Sequence, residues 1–495
     1  MNAKRFLSGL LALIMLLPLA ACAGDNPAID TTDAEDTASA DTTAAETTIA
    51  TDEFGREIIE DSVPADLKYD GDVVRIFTRD DNKYWLLEIT AEEGTGEILN
   101  DSVYNRNMTV EERLGIQFEY LKKPGTFAVR NEWFNVLRSA VQADDDSIDV
   151  ASVYISQGAP LITEGLFYDL LKVDMLDFEK PWWNQSFNDE MTMYDQLYAS
   201  VGDLMLSMTS MTVVNYFNKD LLAELYPNED LYDVVFSGKW TLDYMTNLVS
   251  GTYNDLNGNG ARDDGDRYGY RVQRSTVPGD SWPIALEIYA TTKNAQGIPE
   301  LSFYNEKTVN AFEKLEKLYT DAGSSEGKPD FMHGSVLFYS QQLTYTDSLR
   351  DMEYEYGILP LPKYDESQRE YATIPQNGHS MITITKTTND PQMVGAALEL
   401  LAAESYRQVT PIYFEVTMKS KYLRASEDAQ MFDLIMDSVK FNFGYVWAGT
   451  RIGKLAQLMR DPSIDIASTY AADAASYEAK LGDLLERLES LNKAQ

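Results

Sequence analysis

The sequence predicts an α/β protein built on mostly parallel sheet, and three observations predict it. Apolar runs of strand length alternate with stretches of helical periodicity from about residue 72 onward. Hydrophobic residues make up 44% of the 495 positions, which is material for two or three compact units. The chain holds one cysteine, so no disulfide can form within it and packing must hold the fold together.

The elements follow in chain order. Lys4 and Arg5 precede an apolar stretch, Phe6 to Leu19, broken only by Ser8, Gly9 and Pro18. It falls short of the roughly 20 residues that cross a bilayer and reads as a secretory signal peptide. It ends in Leu19-Ala20-Ala21-Cys22, which resembles the lipobox of bacterial lipoproteins. That resemblance implies removal of residues 1–22 as a signal peptide up to a lipid-modified Cys22. Several acyl chains, at about 0.8 kcal/mol per buried CH₂, anchor firmly. Residues 23–65 are rich in Ala, Thr, Asp and Glu and are expected to form a disordered tether. A flexible chain of that length spans roughly 35–40 Å.

The body then opens with the buried-strand run Val73 to Phe77. Asn100 to Leu114 reads as a helix stopped by Gly115, Ile116 to Leu121 as a strand, Trp133 to Val141 as a helix, and Ile148 to Ile155 as a second buried strand. In parallel α/β sheets ligands bind beyond the carboxyl ends of strands. That singles out the loop Arg79 to Tyr84 and the turn Ser156-Gln157-Gly158-Ala159-Pro160.

Charge and motifs exclude several functions. Asp and Glu number 80 against 41 Lys and Arg, a net charge of −39, which repels nucleic-acid phosphates. No nucleophile elbow and no phosphate-cradling Gly-rich loop is present. The Ser325 to Lys328 spacing lacks its partner motifs. A paired-carboxylate glycosidase stays open, because carboxylate separation is a spatial fact. The two histidines, His333 and His379, form no zinc pair.

The sharpest local motif is Asp255-Leu-Asn257-Gly-Asn259-Gly260-Ala261-Arg-Asp263-Asp-Gly-Asp266. Its oxygen ligands fall in the rhythm of a calcium loop: Asp255, Asn257, Asn259, the Ala261 carbonyl, Asp263 and Asp266. The last position is Asp rather than Glu. The alternatives are a structural Ca²⁺ site and a metal-free loop of Asx turns.

Further on, Leu197 to Asp203 and then Val213-Val-Asn-Tyr-Phe-Asn218-Lys219-Asp-Leu-Leu222 resemble the extracellular solute-binding proteins of ABC importers. The likeness is to the carbohydrate-binding, maltose-binding-protein-like group. It continues in Lys239-Trp240-Thr241, Tyr356 to Lys363, Ser380 to Thr385 and Asp390 to Glu404. It implies a two-lobed periplasmic-binding-protein-like (type II) fold with discontinuous lobes and a multi-strand hinge. Lobe one is expected at 66–206 and 336–375, lobe two at 217–331 and 381–495, and the hinges at 207–216, 333–340 and 374–384.

The same resemblance implies a non-enzymatic monomer on the outer face of the cell membrane. It would close on a small solute, a sugar before a peptide, and dock on the membrane subunits of an ABC permease. By position it points to Ser156, Gln157, Trp282, Tyr445 and Trp447 as sugar contacts. His379 would lie near a crossover, as a cleft residue or as a satisfied hinge histidine. Trp182 and Trp183 join the candidates, because flat aromatic faces suit sugar C–H faces. Core packing is the alternative for every one of these tryptophans, and Trp85, Trp133 and Trp240 are assigned to it. Two further readings remain: a surface glycan hydrolase or lyase, and a glycan-binding lipoprotein without an importer.

Overall fold

A computed structural model of the chain describes residues 58–327, 331–418 and 426–493. The expected signal peptide, Cys22 and most of the expected tether lie outside the described residues.

Along the chain the strands are β1 (Val73–Arg79), β2 (Gln117–Lys123), β3 (Val150–Tyr154), β4 (Val213–Asn218) and β5 (Tyr268–Val272), then β6 (Thr291–Lys293), β7 (Pro299–Leu301), β8 (Ser324–Glu326), β9 (Val336–Gln342), β10 (Tyr356–Leu359) and β11 (Ser380–Ile384). They form two main sheets, one in the order β11-β3-β1-β2 and one in the order β10-β4-β9-β5-β8, with β6 and β7 a separate hairpin.

In sheet one β1 runs parallel to β2 and β3, whereas β11 is antiparallel to β3. β3 and β11 are buried at every position, as strands covered on both faces must be. β2 carries Lys122 and Lys123 on the free edge, where charge discourages pairing with another chain. The helix Ile98–Leu114 stops where expected: Gly115 takes a left-handed φ of 69°, and a Cβ there would stand 2.5 Å from the Tyr69 carbonyl.

Sheet two opens with β4, and Asn218 ends it by capping the helix Lys219–Leu225, accepting from Leu221 N at 2.9 Å. Thr241 caps the helix Leu242–Ser250 in the same way through Tyr244 N. Trp240 beside it is fully buried, donating Nε1 to the Pro360 carbonyl at 2.9 Å. These caps give physical meaning to two motifs that carried the resemblance.

The sheets correct the expected lobes. β9 and β10, expected in lobe one within 336–375, flank β4 in sheet two. β11, expected within lobe two, pairs with β3 in sheet one, and the helix Pro391–Glu404 that follows packs there too. The expected hinge 333–340 is therefore interior to lobe two. The segments that join the lobes lie side by side at 211–213, 373–376 and 438–440. Gln376 N donates to the Met211 carbonyl at 2.8 Å, Thr373 N to Ser438 at 2.9 Å and Lys440 N to Thr373 at 2.9 Å. The last helix, Ile466–Lys493, touches both lobes, against 159–164 in one and β7 and Glu306–Thr320 in the other, rather than lobe two alone.

The expected tether also ends too late at 65. Val63 is buried, and Asp61 receives both guanidinium branches of Arg113 at 2.7 Å and a further bond from Arg407 at 3.3 Å. Burial raises the Asp61 carboxyl, but the two arginines outweigh it and hold it below the usual carboxylate range. A scan for apolar content cannot see a segment held by charge.

Candidate functional site

The carboxyl ends of β1 and β3 lie together, because the strands are parallel neighbours. β1 delivers Arg79 to that end, only 1% exposed. Its guanidinium carbon stands 4.0 Å from the Trp85 ring centre and 5.0 Å from that of Tyr154, the last residue of β3. Nη1 and Nη2 donate to the Gly378 carbonyl at 3.1 Å, and Nη2 also to Ser380 Oγ at 2.7 Å. Burial lowers the Arg79 pKa to about 10, and the nearby Glu88 opposes that shift.

Glu88 is fully buried and completes a network that ties this rim to the hinge. It accepts from Ser152 Oγ at 3.1 Å, from Ser207 N at 3.0 Å and from Ser207 Oγ. Ser207 Oγ in turn accepts from Ser380 N at 3.0 Å. Ser207 lies at the first crossover and Ser380 just past the second, so both meet on one carboxylate. Burial pushes the Glu88 carboxyl up, and Arg79 and the serine hydroxyls pull it back. Four buried polar atoms of this rim, Thr78 Oγ1, Arg79 Nε, Trp85 Nε1 and Ser156 Oγ, have no well-formed hydrogen bond among the described residues. Unpartnered donors are rare in a finished core and common where a polar ligand completes the bonding.

Lobe two presents a rim of different chemistry. β5 and β9 are parallel, so Gln273 and Gln341 emerge at the same end. The Tyr339 hydroxyl donates to Gln273 Oε1 at 2.9 Å and accepts from Gln341 Nε2 at 3.1 Å, with the Arg271 guanidinium 4.7 Å over its ring. Amides and a phenol match neutral hydroxyls as both donors and acceptors. The lobes are joined across by Asp347, which takes Lys83 Nζ and the Tyr84 hydroxyl, each at 2.8 Å.

The structure brings together some of the residues that the sequence pointed to. Ser156 and Gln157 form the turn Ile155–Gly158 straight after β3, and the Ser156 carbonyl accepts from Gly449 N at 3.1 Å. The Tyr445 to Trp447 segment thus sits against the Ser156 turn. Trp447 is 1% exposed, and its Nε1 has no partner among the described residues. Tyr445 is turned inward, its hydroxyl donating to the Ile288 carbonyl at 2.6 Å, and burial holds its pKa well above the ordinary value. Trp282 lies apart, fully buried on the short helix Trp282–Ala285, beside the Tyr319 hydroxyl but without a well-formed bond. His379 is buried beside Phe441, with Nδ1 3.0 Å from the Ser380 carbonyl, and burial lowers its pKa to about 3. Trp182 and Trp183 both donate their indole N–H to Glu399, at 3.1 and 2.8 Å, and both are buried away from the strand-end rims.

Sequence reasoning marked the Arg79 loop but missed Arg79 and Tyr154 as a stacked unit, and Gln273, Tyr339 and Gln341 altogether. The available signal was a polar residue closing a buried strand, as in Thr-Arg79 after Ile-Phe and Gln273-Arg274 after Arg-Val.

A separate cavity of about 590 Å³ shares Trp182 but none of the rim residues. Its walls are aromatic (Trp182, Tyr406, Phe414, Phe432) and acidic (Asp203, Asp437), drawn from lobe one, the first crossover and the helix Ser426–Asp437.

No protein-family model matches the chain, and no curated protein sequence does. Solved structures do. One is a cyclo/maltodextrin-binding protein complexed with maltotetraose, at a TM-score of 0.52 and 12% identity over 86% of this chain and 98% of that one. Another is a cyclic alpha-maltosyl-1,6-maltose binding protein from Arthrobacter globiformis, at 0.51 and 14% over 86% and 98%. A third is a family 1 extracellular solute-binding protein from Bifidobacterium longum subsp. infantis, at 0.51 and 11% over 86% and 100%. The chain therefore has the two-lobed α/β fold of extracellular solute-binding proteins. Among the described residues no helix is long and apolar enough to cross a membrane.

Proposed function

We propose that this chain is a lipid-anchored solute-binding protein that captures a mono- or oligosaccharide between its lobes and delivers it to an ABC importer. The observation that carries the reading is the pair of strand-end rims, one from each lobe, on a fold joined by three adjacent crossing segments. Lobe one offers the Trp85 and Tyr154 rings around a cation; lobe two offers amide and phenol groups. Aromatic faces take sugar C–H faces, and neutral polar groups take hydroxyls.

The mechanism is closure. A solute bound to both rims stabilises the closed form by its difference in affinity for the two forms. The Ser156–Gly449 and Tyr84–Asp347 bonds form part of that closed contact. The permease then recognises the closed form, with ATP hydrolysis supplied elsewhere. Cys22 in its lipobox-like setting supports anchoring on the outer face of the membrane, with residues between it and the body as the tether.

A thermal-shift screen over sugars and peptides tests the solute. A sugar at about 100 times its Kd adds about 2.7 kcal/mol of stability and raises Tm by a few degrees. Peptides that shift Tm while no sugar does would replace the sugar reading. Small-angle scattering should show a smaller radius of gyration with the tight ligand. Release of cleaved sugar products would turn the reading into that of a glycan-degrading enzyme. Cys22→Ala should move the protein from the membrane fraction to the medium.

A further inference from the structure

We propose that the loop Asp255 to Asp266 binds one calcium ion that staples the end of lobe two remote from the solute rims. The spacing of the motif is one observation. A second, independent one is Asp266, which closes the loop at 0% exposure. Its Oδ2 accepts from Asp263 N at 3.2 Å and from the Tyr253 hydroxyl at 3.2 Å, so the carboxylate points into the loop. Its Oδ1 is buried and has no partner among the described residues. A buried carboxylate oxygen without a partner is unfavourable, and a cation at that oxygen removes the deficit.

The rest of the loop carries the other candidate oxygens on one tight turn. Gly260 adopts a φ of 73°, which lets the chain turn sharply between ligands. Asn257 and Asn259 donate Nδ2 to the two Asp263 oxygens at 2.9 and 2.6 Å, and their Oδ1 atoms accept from Asn259 N at 3.0 Å and Ala261 N at 2.6 Å, bonds that an ion would replace. Asp255 faces inward, its oxygens accepting from Gly258 N at 2.7 Å and Gly260 N at 2.9 Å. Among the described residues no three His, Cys, Asp or Glu side chains are already gathered at metal distance. Half of this ligand set is amide and carbonyl oxygen, and an ion draws three mutually repelling carboxylates inward. Six oxygen donors select Ca²⁺ over Zn²⁺, which prefers nitrogen and sulfur, and over Mg²⁺, which demands strict octahedral geometry.

Placement gives the role. Asn254 and Arg267 close the neck of the loop with paired backbone bonds at 3.1 and 3.0 Å. Arg262 Nη2 donates to the Ser324 carbonyl at 2.6 Å, and the Tyr268 hydroxyl to the Asp263 carbonyl at 3.1 Å. The loop enters β5 at its amino end, whereas Gln273 leaves the carboxyl end toward the solute rim. The ion therefore fixes β5 and β8 without touching the solute. The shorter Asp266 arm places its affinity at the weak end, about 10⁻⁴–10⁻³ M, of extracellular calcium modules.

The test uses the full chain stripped with EDTA. CaCl₂ at about 10 mM, well above that range, should raise Tm by several degrees, and MgCl₂ at the same concentration should not. Terbium emission excited through Tyr253 and Tyr268 should saturate at one ion per chain and fall as Ca²⁺ is added. Asp255→Ala and Asp263→Asn should each weaken binding on the order of tenfold or more, a loss of about 1.4 kcal/mol per tenfold. Asp264→Asn, outside the ligand rhythm, should bind as the parent does. No calcium shift in Tm together with terbium emission equal in parent and Asp255→Ala overturns the proposal. So does equal weakening by Asp264→Asn. If Asp255→Ala fails to fold, Asp263→Asn carries the same comparison.

Discussion

Glu88 and Glu399 are both fully buried in lobe one, yet they sit in opposite electrostatic settings. Glu88 lies at the strand-end rim with Arg79 beside it and serine hydroxyls and an amide aimed at it. Glu399, on the helix Pro391–Glu404, is held by two indole N–H groups and Asp177 N, with no cation bonded to it among the described residues. Burial pushes the Glu399 carboxyl up to about 7, with Asp177 adding to the rise and the donors opposing it. Burial thus raises both carboxyls; around Glu88 a nearby guanidinium and serine hydroxyls oppose the rise, whereas around Glu399 only N–H donors do. What faces a buried acid, more than how deeply it lies, sets its behaviour.

The largest expected effect comes from removing Glu88. Glu88→Ala removes the buried acceptor shared by Ser152 and Ser207, opens a cavity and takes away the charge that opposes the burial of Arg79, and should cost about 3–5 kcal/mol in denaturant unfolding. A loss under about 1 kcal/mol would mean that water reaches Arg79 and that the two sites do not differ as argued.

Glu399→Gln should cost about 1–3 kcal/mol at pH 5, because one amide N–H then faces an indole donor. Its pH signature is the sharper test. The folded pKa is raised above the ordinary carboxyl value of 4.5, so this contribution is fully present below pH 4.5 and is lost as pH rises through about 7. The parent should lose Tm from this group between those values, and the variant should not. An identical Tm slope in both proteins would remove Glu399 from the account.

The lobe junction tests whether the rim that Glu88 supports has to close. A Cβ at Gly449 would stand 2.9 Å from the Ser156 carbonyl. Gly449→Val should prop the junction open and weaken solute binding about tenfold, or about 1.4 kcal/mol, with little change in Tm. Unchanged affinity would place the closed contact elsewhere. The smallest effect belongs to the neutral rim: Tyr339→Phe removes two hydrogen bonds and should cost about 0.5–1.5 kcal/mol, read as a modest Tm loss.

Much of the molecule is legible in the residue order alone. The strand at Val73 to Phe77, the stop at Gly115 and the helix starts behind Asn218 and Thr241 are local signals, written in neighbouring residues. The calcium-like spacing is likewise local. The site is less legible. Ser156, Gln157 and Trp447 are reached by position, and the structure seats them at one junction. Trp182 and Trp183 look like sugar platforms in sequence, yet their N–H groups are taken by Glu399, more than 200 residues away.

By itself the sequence determined the α/β class, the helix stop at Gly115 and the rhythm of the oxygen-rich loop. Each depends on residues a few positions apart, whose backbone preferences and hydrogen bonds act within one turn or strand. Only the tertiary structure decided that β9 and β10 join lobe two, that β11 joins lobe one, and that Asp61 is clamped by Arg113 and Arg407. A strand's own residues report that both its faces will be buried, but its partner is chosen by distant chain competing to cover the same edge.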